Sequence, residues 1–261
     1  MLDLYQVDAF TNSIFEGNPA CIVPLPSWLP DEILLKITQE NAVAETAFFV
    51  AKENKFHLRW FTPEIEMDLC GHATLATAHC LKTILKYPSN NIVFETASGD
   101  LTVTVQDDFY FLDFPSRMPV PAALPELIEK SLNIPPKAVY KSRDYVLVYD
   151  TEQDIKNIKI NRQIFDQINL GTGGVIVTSK GTSCDFVSRF FTPQASILED
   201  PVTGSAHCSL IPFWAKKLDK KELSAMQLSK RKGILNCTEK NDRVIISGQA
   251  KTYSIGKLWI E

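Results

Sequence analysis

The chain nearly repeats itself. Residues 59–63 read RWFTP and residues 189–193 read RFFTP, and the likeness runs on: RWFTPEIEMDLCGHATLATAHCL from Arg59, RFFTPQASILEDPVTGSAHCSLI from Arg189. In each copy a strand-like Arg-aromatic-Phe-Thr-Pro leads into a loop with an acidic residue, and a glycine then opens a helix. Solenoid repeats recur every 20 to 50 residues or so, whereas copies this far apart indicate two equivalent domains. At 261 residues and 45% hydrophobic content, the chain can fill two cores. The expected halves are residues 1–115 and 116–261, divided at the Pro-rich PSRMPVPAALP, with the last strand free to pack back on the first domain.

Short or alternating apolar runs mark strands at LYQVDAF (4–10), TAFFVA (46–51), FHLRWF (56–61), NIVFET (91–96), LTVTVQ (101–106) and FYFLDF (109–114). Further strands are expected near 145–149, 174–179, 184–191, 225–229, 243–247 and 252–260. Helices are expected at DEILLKITQENA after Pro30, at GHATLATAHCLKTIL (71–85), at 126–132 and from Gly204. In the 71–85 helix Ala and Leu occur all round, which implies burial. Pro212 falls inside the helix from Gly204, where it removes one i to i−4 hydrogen bond and should bend the helix. The fold class is therefore α/β (α+β), two mixed halves each with a long central helix.

Net charge is −4, and the 27 Lys and Arg are scattered along the chain. No basic stripe favours nucleic acid or a membrane surface, so the expected partner is a small molecule. The start, MLDLYQVDAF, lacks the basic end and apolar run of a signal peptide, and no run of about 18 uncharged apolar residues follows, which reads as cytoplasmic. The six cysteines form no CxxC pair and are expected to be thiols, mostly in cores.

The helix starts can carry chemistry. The first four N–H groups of a helix lack internal partners and its N-terminus is partly positive, so a glycine there lets an anion approach the backbone. Gly71 and Gly204 supply two such places. If the repeat reflects two-fold pseudo-symmetry, the starts face each other and a carboxylate between them meets donors from both sides, a setting that also stabilises an adjacent enolate. Around the first lie Asp68, Cys70 and His72; around the second lie Glu199, Asp200, Thr203, Ser205 and His207. Each has a simpler reading. Asp200, Thr203 and Ser205 can be helix caps, each worth about 1 kcal/mol; His79 and His207 can be satisfied core histidines, and Cys80 and Cys208 core thiols. Cys70, His72, His79 and His207 lack the spacing of a metal site, and no metal is expected.

Four separated stretches, NPACIVPL near residue 18, NAVAETAFF around Glu45, FTPEIEMDLCGHATLA and EDPVTGSAH, resemble the PhzF-like family, relatives of the phenazine-biosynthesis isomerase. The resemblance implies a diaminopimelate-epimerase-like fold: two pseudo-symmetric domains, each a mostly antiparallel sheet wrapped around a central helix, with the active site in the cleft between them. It also implies a homodimer and a cofactor-independent isomerase. In the phenazine enzyme a glutamate moves a proton within trans-2,3-dihydro-3-hydroxyanthranilate, and the matching residue here is Glu45. Residue by residue, a Glu opening the apolar run TAFFV is either a solvated strand-edge acid or a partly buried base, and burial suits a carboxyl to both taking and giving a proton. His72 and Asp200 match further catalytic positions, and Gly71, Gly204 and Ser205 match donors around the substrate carboxylate.

Epimerases of the parent fold carry a cysteine at each helix start. Here Cys70 occupies the first position but Thr203 the second, and a threonine hydroxyl cannot replace a thiol as base. Cys70 and Thr203 are accordingly expected to contact substrate. The leading expectation is an isomerase with Glu45 as the shuttling base. The alternatives are a catalytically silent carboxylate-binding protein and a Cys-dependent epimerase.

Overall fold

The structure is a computed structural model, described here for residues 1–260. The chain forms two compact units: Met1–Phe114 joined by the chain from Ile245 onward, and Pro115–Val244. Among the described residues no helix is long and apolar enough to cross a membrane.

The first unit contains β1 (Leu2–Ala9), β2 (Asn18–Leu25), α1 (Asp31–Asn41), β3 (Glu45–Ala51), β4 (Phe56–Phe61), β5 (Glu66–Met67), α2 (Gly71–His79), β6 (Asn91–Thr96), β7 (Gly99–Gln106) and β8 (Phe109–Pro115). The second contains β9 (Val120–Pro121), α3 (Glu126–Ser131), β10 (Ala138–Lys141), β11 (Tyr145–Val148), α4 (Glu152–Asn157), α5 (Arg162–Phe165), β12 (Val175–Lys180), β13 (Phe186–Phe191), β14 (Glu199–Asp200), α6 (Gly204–Leu218), β15 (Glu222–Gln227) and β16 (Gly233–Lys240). β17 (Arg243–Gly248) leads back to β18 (Ala250–Leu258), which pairs antiparallel with β1 in the first unit.

Each unit repeats one pairing scheme. β1–β2 is antiparallel, β2–β3 parallel, β3–β4 antiparallel, β4–β6 parallel and β6–β7 antiparallel. β10–β11, β11–β12, β12–β13, β13–β15 and β15–β16 follow the same order. The Arg-aromatic-Phe-Thr-Pro strings have the same job in both. Arg59 on β4 makes a two-pronged pair with Glu66 on β5 (2.7 and 2.6 Å) and lies over the Phe61 ring. Arg189 on β13 does the same with Glu199 on β14 (2.7 and 2.9 Å) and Phe191. The threonine N–H then closes the turn on a carbonyl, Thr62 on Ile65 at 2.8 Å and Thr192 on Leu198 at 2.9 Å. Proline follows, where no further ladder donor is needed.

All nine residues of α2 are buried, and its small side chains let the strands approach its backbone. In the first unit, Val23, Leu25, Leu34, Ile37, Phe48 and Phe61 pack as one cluster with α1. In the second, Leu147, Val175, Val177, Val187 and Phe191 pack with Ile128, Ile155 and Phe165 from its short helices. Each such side chain, fully buried, contributes roughly 1.5–3 kcal/mol.

One helix expectation meets a different outcome. The α-helix expected over 71–85 ends at His79 and continues as one π-helical turn, Cys80–Ile84, closed by the Leu85 N–H on the Cys80 carbonyl at 3.0 Å. The Thr83 hydroxyl bonds to the His79 carbonyl at 2.7 Å and competes for the acceptor that an α-turn would use. Pro212 does sit inside α6, and the Cys208 carbonyl it leaves without an N–H accepts the Arg117 backbone N–H at 2.9 Å, so the missing bond is replaced.

Candidate active site

In the first unit, three segments converge on His72. Gly17 has φ +65, and a Cβ there would lie 2.2 Å from the Ala9 carbonyl oxygen, so only glycine lets the loop enter β2 at this point. It delivers Asn18, the first residue of β2, fully buried. The left-handed Ala42 ends α1 and starts the chain toward Glu45, the first residue of β3, which β2 holds in parallel register opposite Ala20. Cys70 stands at the N-cap position of α2 in extended conformation, makes no side-chain cap, and passes into Gly71 and His72. His72, 3% exposed, has its Nδ1 at 3.1 Å from the Asn18 side-chain nitrogen and 3.6 Å from the Cys70 sulfur. Its Nε2 lies 3.1 Å from Oε2 of Glu45, whose side chain is 15% exposed.

This is no solvated strand-edge glutamate. The Glu45–His72 contact is close but lacks the alignment of a hydrogen bond, and among the described residues neither Oε2 nor Nε2 has another partner. Burial opposes a charged imidazolium, but the Cys70 sulfur and the Glu45 carboxylate beside it outweigh burial and hold His72 above the ordinary histidine range. Burial, reinforced by Glu45, pushes the Cys70 thiol up, so the sulfur is protonated at neutral pH and the carboxylate is the countercharge that matters. Donor atoms of Glu45, Cys70 and His72 lie within 4.8 Å of one another. The imidazole turns Nδ1 to the sulfur and Nε2 to the carboxylate.

The second unit builds its helix start from hydrogen bonds. Thr203 stands at the N-cap position of α6, with Gly204 and Ser205 opening the helix. Its hydroxyl makes no cap, contrary to the simplest expectation, and donates instead to Asp200 Oδ2 at 2.5 Å. Gln227, fully buried on β15, accepts the Thr203 N–H at 2.9 Å and donates to the Asp200 carbonyl at 2.8 Å, clamping the loop. Gly233 completes the fit, since a Cβ there would lie 2.2 Å from a Val202 methyl. Ser205 is not a cap either: its hydroxyl accepts from Arg143 at 2.8 Å. Arg143 is held by Asp144, whose side chain is 1% exposed and also accepts the Gly174 N–H at 2.9 Å.

The structure thus brings Glu45, Cys70, Gly71 and His72 together in one unit, and Asp200, Thr203, Gly204 and Ser205 in the other. Asn18, Gln227 and Arg143 were not picked out as site residues by sequence reasoning. Asn18 lies in NPACIVPL, and the Gly before it was the available signal; Gln227 and Arg143 reach the site only through strand register. Two further helical histidines are buried. His79 sits 3.0 Å from both the Tyr110 and Thr252 hydroxyls, a satisfied core histidine as expected. His207 meets only the Thr203 carbonyl, at 2.8 Å, and among the described residues its Nε2 has no partner. Burial pushes both down to about 4.

Comparison with known proteins gives the same picture as the motifs. The sequence pattern of the phenazine biosynthesis-like protein family matches residues 7–256. An uncharacterized isomerase of Pseudomonas aeruginosa is 46% identical over 258 residues, 98% of each chain. The solved structure of a PhzF-family phenazine biosynthesis protein from Enterococcus faecalis matches with a TM-score of 0.94 at 43% identity, over 99% of both chains. A predicted epimerase from Pseudomonas aeruginosa, 18% identical with a TM-score of 0.73 over the whole of both chains, shares the fold.

Proposed function

Because the chain belongs to the phenazine biosynthesis-like family of isomerases, we propose that it moves a proton between carbons near the carboxylate of a small acid, with Glu45 taking and returning the proton and no cofactor in the step. The observation that supports this reading is the Glu45–His72 contact at 3.1 Å in a buried cluster. A base that removes a proton from carbon must be able to reach it, and Glu45, with Oε2 turned to His72, keeps 15% of its side chain exposed. His72 faces that oxygen with Nε2 and is placed to steady its charge as the proton comes and goes.

The remaining roles follow from chemistry. The uncapped start of α2, at Cys70 and Gly71, offers N–H donors to a carboxylate or to the enolate that forms when the proton leaves. Asp200, Thr203, Gly204 and Ser205 hold the substrate's polar groups. The Ser205 hydroxyl accepts from Arg143, so its own hydrogen is available to donate. Asp200, which accepts the hydrogen bond of the Thr203 hydroxyl, is the second carboxylate of the reaction and orients or relays.

The test uses trans-2,3-dihydro-3-hydroxyanthranilate in heavy water. The expected product carries deuterium on carbon, and Glu45→Gln should slow its formation roughly 10²- to 10⁴-fold. Equal rates would remove Glu45 from the mechanism. Thermal stabilisation by small carboxylates without exchange in any of them would leave a carboxylate-binding protein instead.

A further inference from the structure

We propose that Asn18 is a positioning residue for the proton transfer: its side-chain amide donates to Nδ1 of His72 and so fixes the neutral imidazole as the tautomer with its proton on Nε2, facing Glu45. The idea rests on the roles given above to Glu45 and His72, but its test does not depend on them.

Three elements surround the ring, and each presents one group to it. From β2 comes the Asn18 amide, 3.1 Å from Nδ1; from the residue before α2 comes the Cys70 thiol, 3.6 Å from the same nitrogen; from β3 comes the Glu45 carboxylate, 3.1 Å from Nε2. Glu45 and Cys70 are the titratable groups among them. An amide N–H and a protonated thiol are both donors, and a donor facing Nδ1 is satisfied only if that nitrogen keeps its lone pair. In the neutral ring a proton on Nδ1 would set N–H against N–H in a site where both Asn18 and His72 are buried, and an unmade buried hydrogen bond is expensive. The imidazolium, which the neighbouring carboxylate favours, bears that mismatch until it gives up the Nδ1 proton. The ring's one remaining place for a proton is Nε2, where a carboxylate stands ready to accept it. The nitrogen that is protonated in a histidine is set by what the other nitrogen meets, and here that setting falls to Asn18.

The fold makes the contact deliberate in physical terms. Asn18 pairs with Ala9 in the β1–β2 ladder, and the same Ala9 carbonyl is the atom that Gly17 can pass only without a Cβ. The Gly17-Asn18 step therefore fixes where the amide lies before any substrate binds. An aspartate at this place would have the same shape and the opposite meaning, because a carboxylate accepts and would hold a proton on Nδ1.

The experiment is a pH series of ¹⁵N–¹H correlation spectra of the histidine rings in the ligand-free protein, with His72 assigned from the spectrum of His72→Gln. As pH rises, the ring should lose its proton from Nδ1, and the neutral form should carry it on Nε2. Asn18→Asp should move the proton to Nδ1 and shift the ring's titration upward, and Asn18→Ala should give a mixture of tautomers. A neutral wild-type ring protonated on Nδ1, a ring still doubly protonated at the most alkaline pH the fold withstands, or an Asn18→Asp spectrum like the wild type would each overturn the proposal. Should the variants not fold, the wild-type spectrum alone decides. Failure of the proposed function would show separately, as deuterium exchange indifferent to Glu45→Gln with the tautomer as expected.

Discussion

The start of α2 and the start of α6 are reached by the same route, and they present different chemistry. Both follow a strand whose arginine grips a glutamate on the next short strand, both stand after a turn closed by a threonine N–H, and neither is capped by its own side chain. At α2 the neighbours are titratable: Glu45, Cys70 and His72. At α6 the carboxylate Asp200 sits in a hydrogen-bond network, in which Gln227 holds the Asp200–Thr203 loop and Arg143 holds Ser205. The histidine of α6, His207, lies one turn into the helix and is pushed down to about 4 by burial, so its ring is uncharged at neutral pH. His72 is shifted the opposite way. One scaffold has thus been copied with different groups at its two helix starts.

The comparison breaks most easily at the acid. Loss of the Glu45 carboxylate as Glu45→Gln should cost roughly 10²- to 10⁴-fold in carbon-bound deuterium exchange, whereas Thr203→Val should raise KM and leave kcat within about tenfold.

The buried histidines come next. His79 and His207 have folded-state values of about 4 against an ordinary 6.5, so between those values the unfolded chain binds more protons. Stability present above pH 6.5 is lost as pH falls toward 4, by roughly 3 kcal/mol for each. Urea midpoints measured across this range should fall less steeply in His79→Gln and in His207→Gln than in the wild type. A difference between the two variants would sharpen the contrast between a histidine bonded at both nitrogens and one bonded at a single nitrogen.

The doubled arginines give a smaller and unequal effect. Arg189 also donates to the Ile155 and Ile158 carbonyls, at 3.0 and 2.9 Å, and those carbonyls belong to buried residues. Arg189→Met should therefore destabilise by about 2–3 kcal/mol. Arg59 makes its ion pairs with the more exposed Glu66 and Asp31, and Arg59→Met should cost at most about 1 kcal/mol. Chemical denaturation of the two variants side by side checks the order.

Cys70→Ser should have the least effect on rate, within about tenfold, since a protonated thiol at 3.6 Å from His72 is a weak donor that a hydroxyl replaces. Rapid loss of activity in this variant would favour the Cys-dependent reading.

How much of this was legible in the chain follows from where each contact is made. The repeat was readable because the arginine and the threonine of each Arg-aromatic-Phe-Thr-Pro string have a partner within about ten residues. The helix starts were readable from Gly71 and Gly204, and Glu45 from its place before an apolar run together with the family resemblance. β2 was not read as a strand, because Pro19 and Pro24 interrupt it and most of its residues are buried on both faces, which removes the alternation. The π-helical turn after His79 depends on a threonine hydroxyl rather than on apolar periodicity. Asn18, Gln227 and Arg143 act across 54, 24 and 62 residues, separations at which only strand register brings the partners together. The capping reading of Thr203 and Ser205 was wrong because other donors, the Gln227 amide at 3.2 Å and the Arg143 guanidinium at 2.8 Å, occupy those hydroxyl oxygens.

The most direct measurement of the central claim is the rate of solvent deuterium entry at carbon in trans-2,3-dihydro-3-hydroxyanthranilate, at saturating substrate, for the wild type, Glu45→Gln and Thr203→Val in parallel. With Glu45 as the base and Thr203 as a substrate contact, Glu45→Gln should lose roughly 10²- to 10⁴-fold while Thr203→Val stays within about tenfold of the wild type. A Glu45→Gln rate equal to the wild type, or a Thr203→Val rate that falls as far as that of Glu45→Gln, would contradict it.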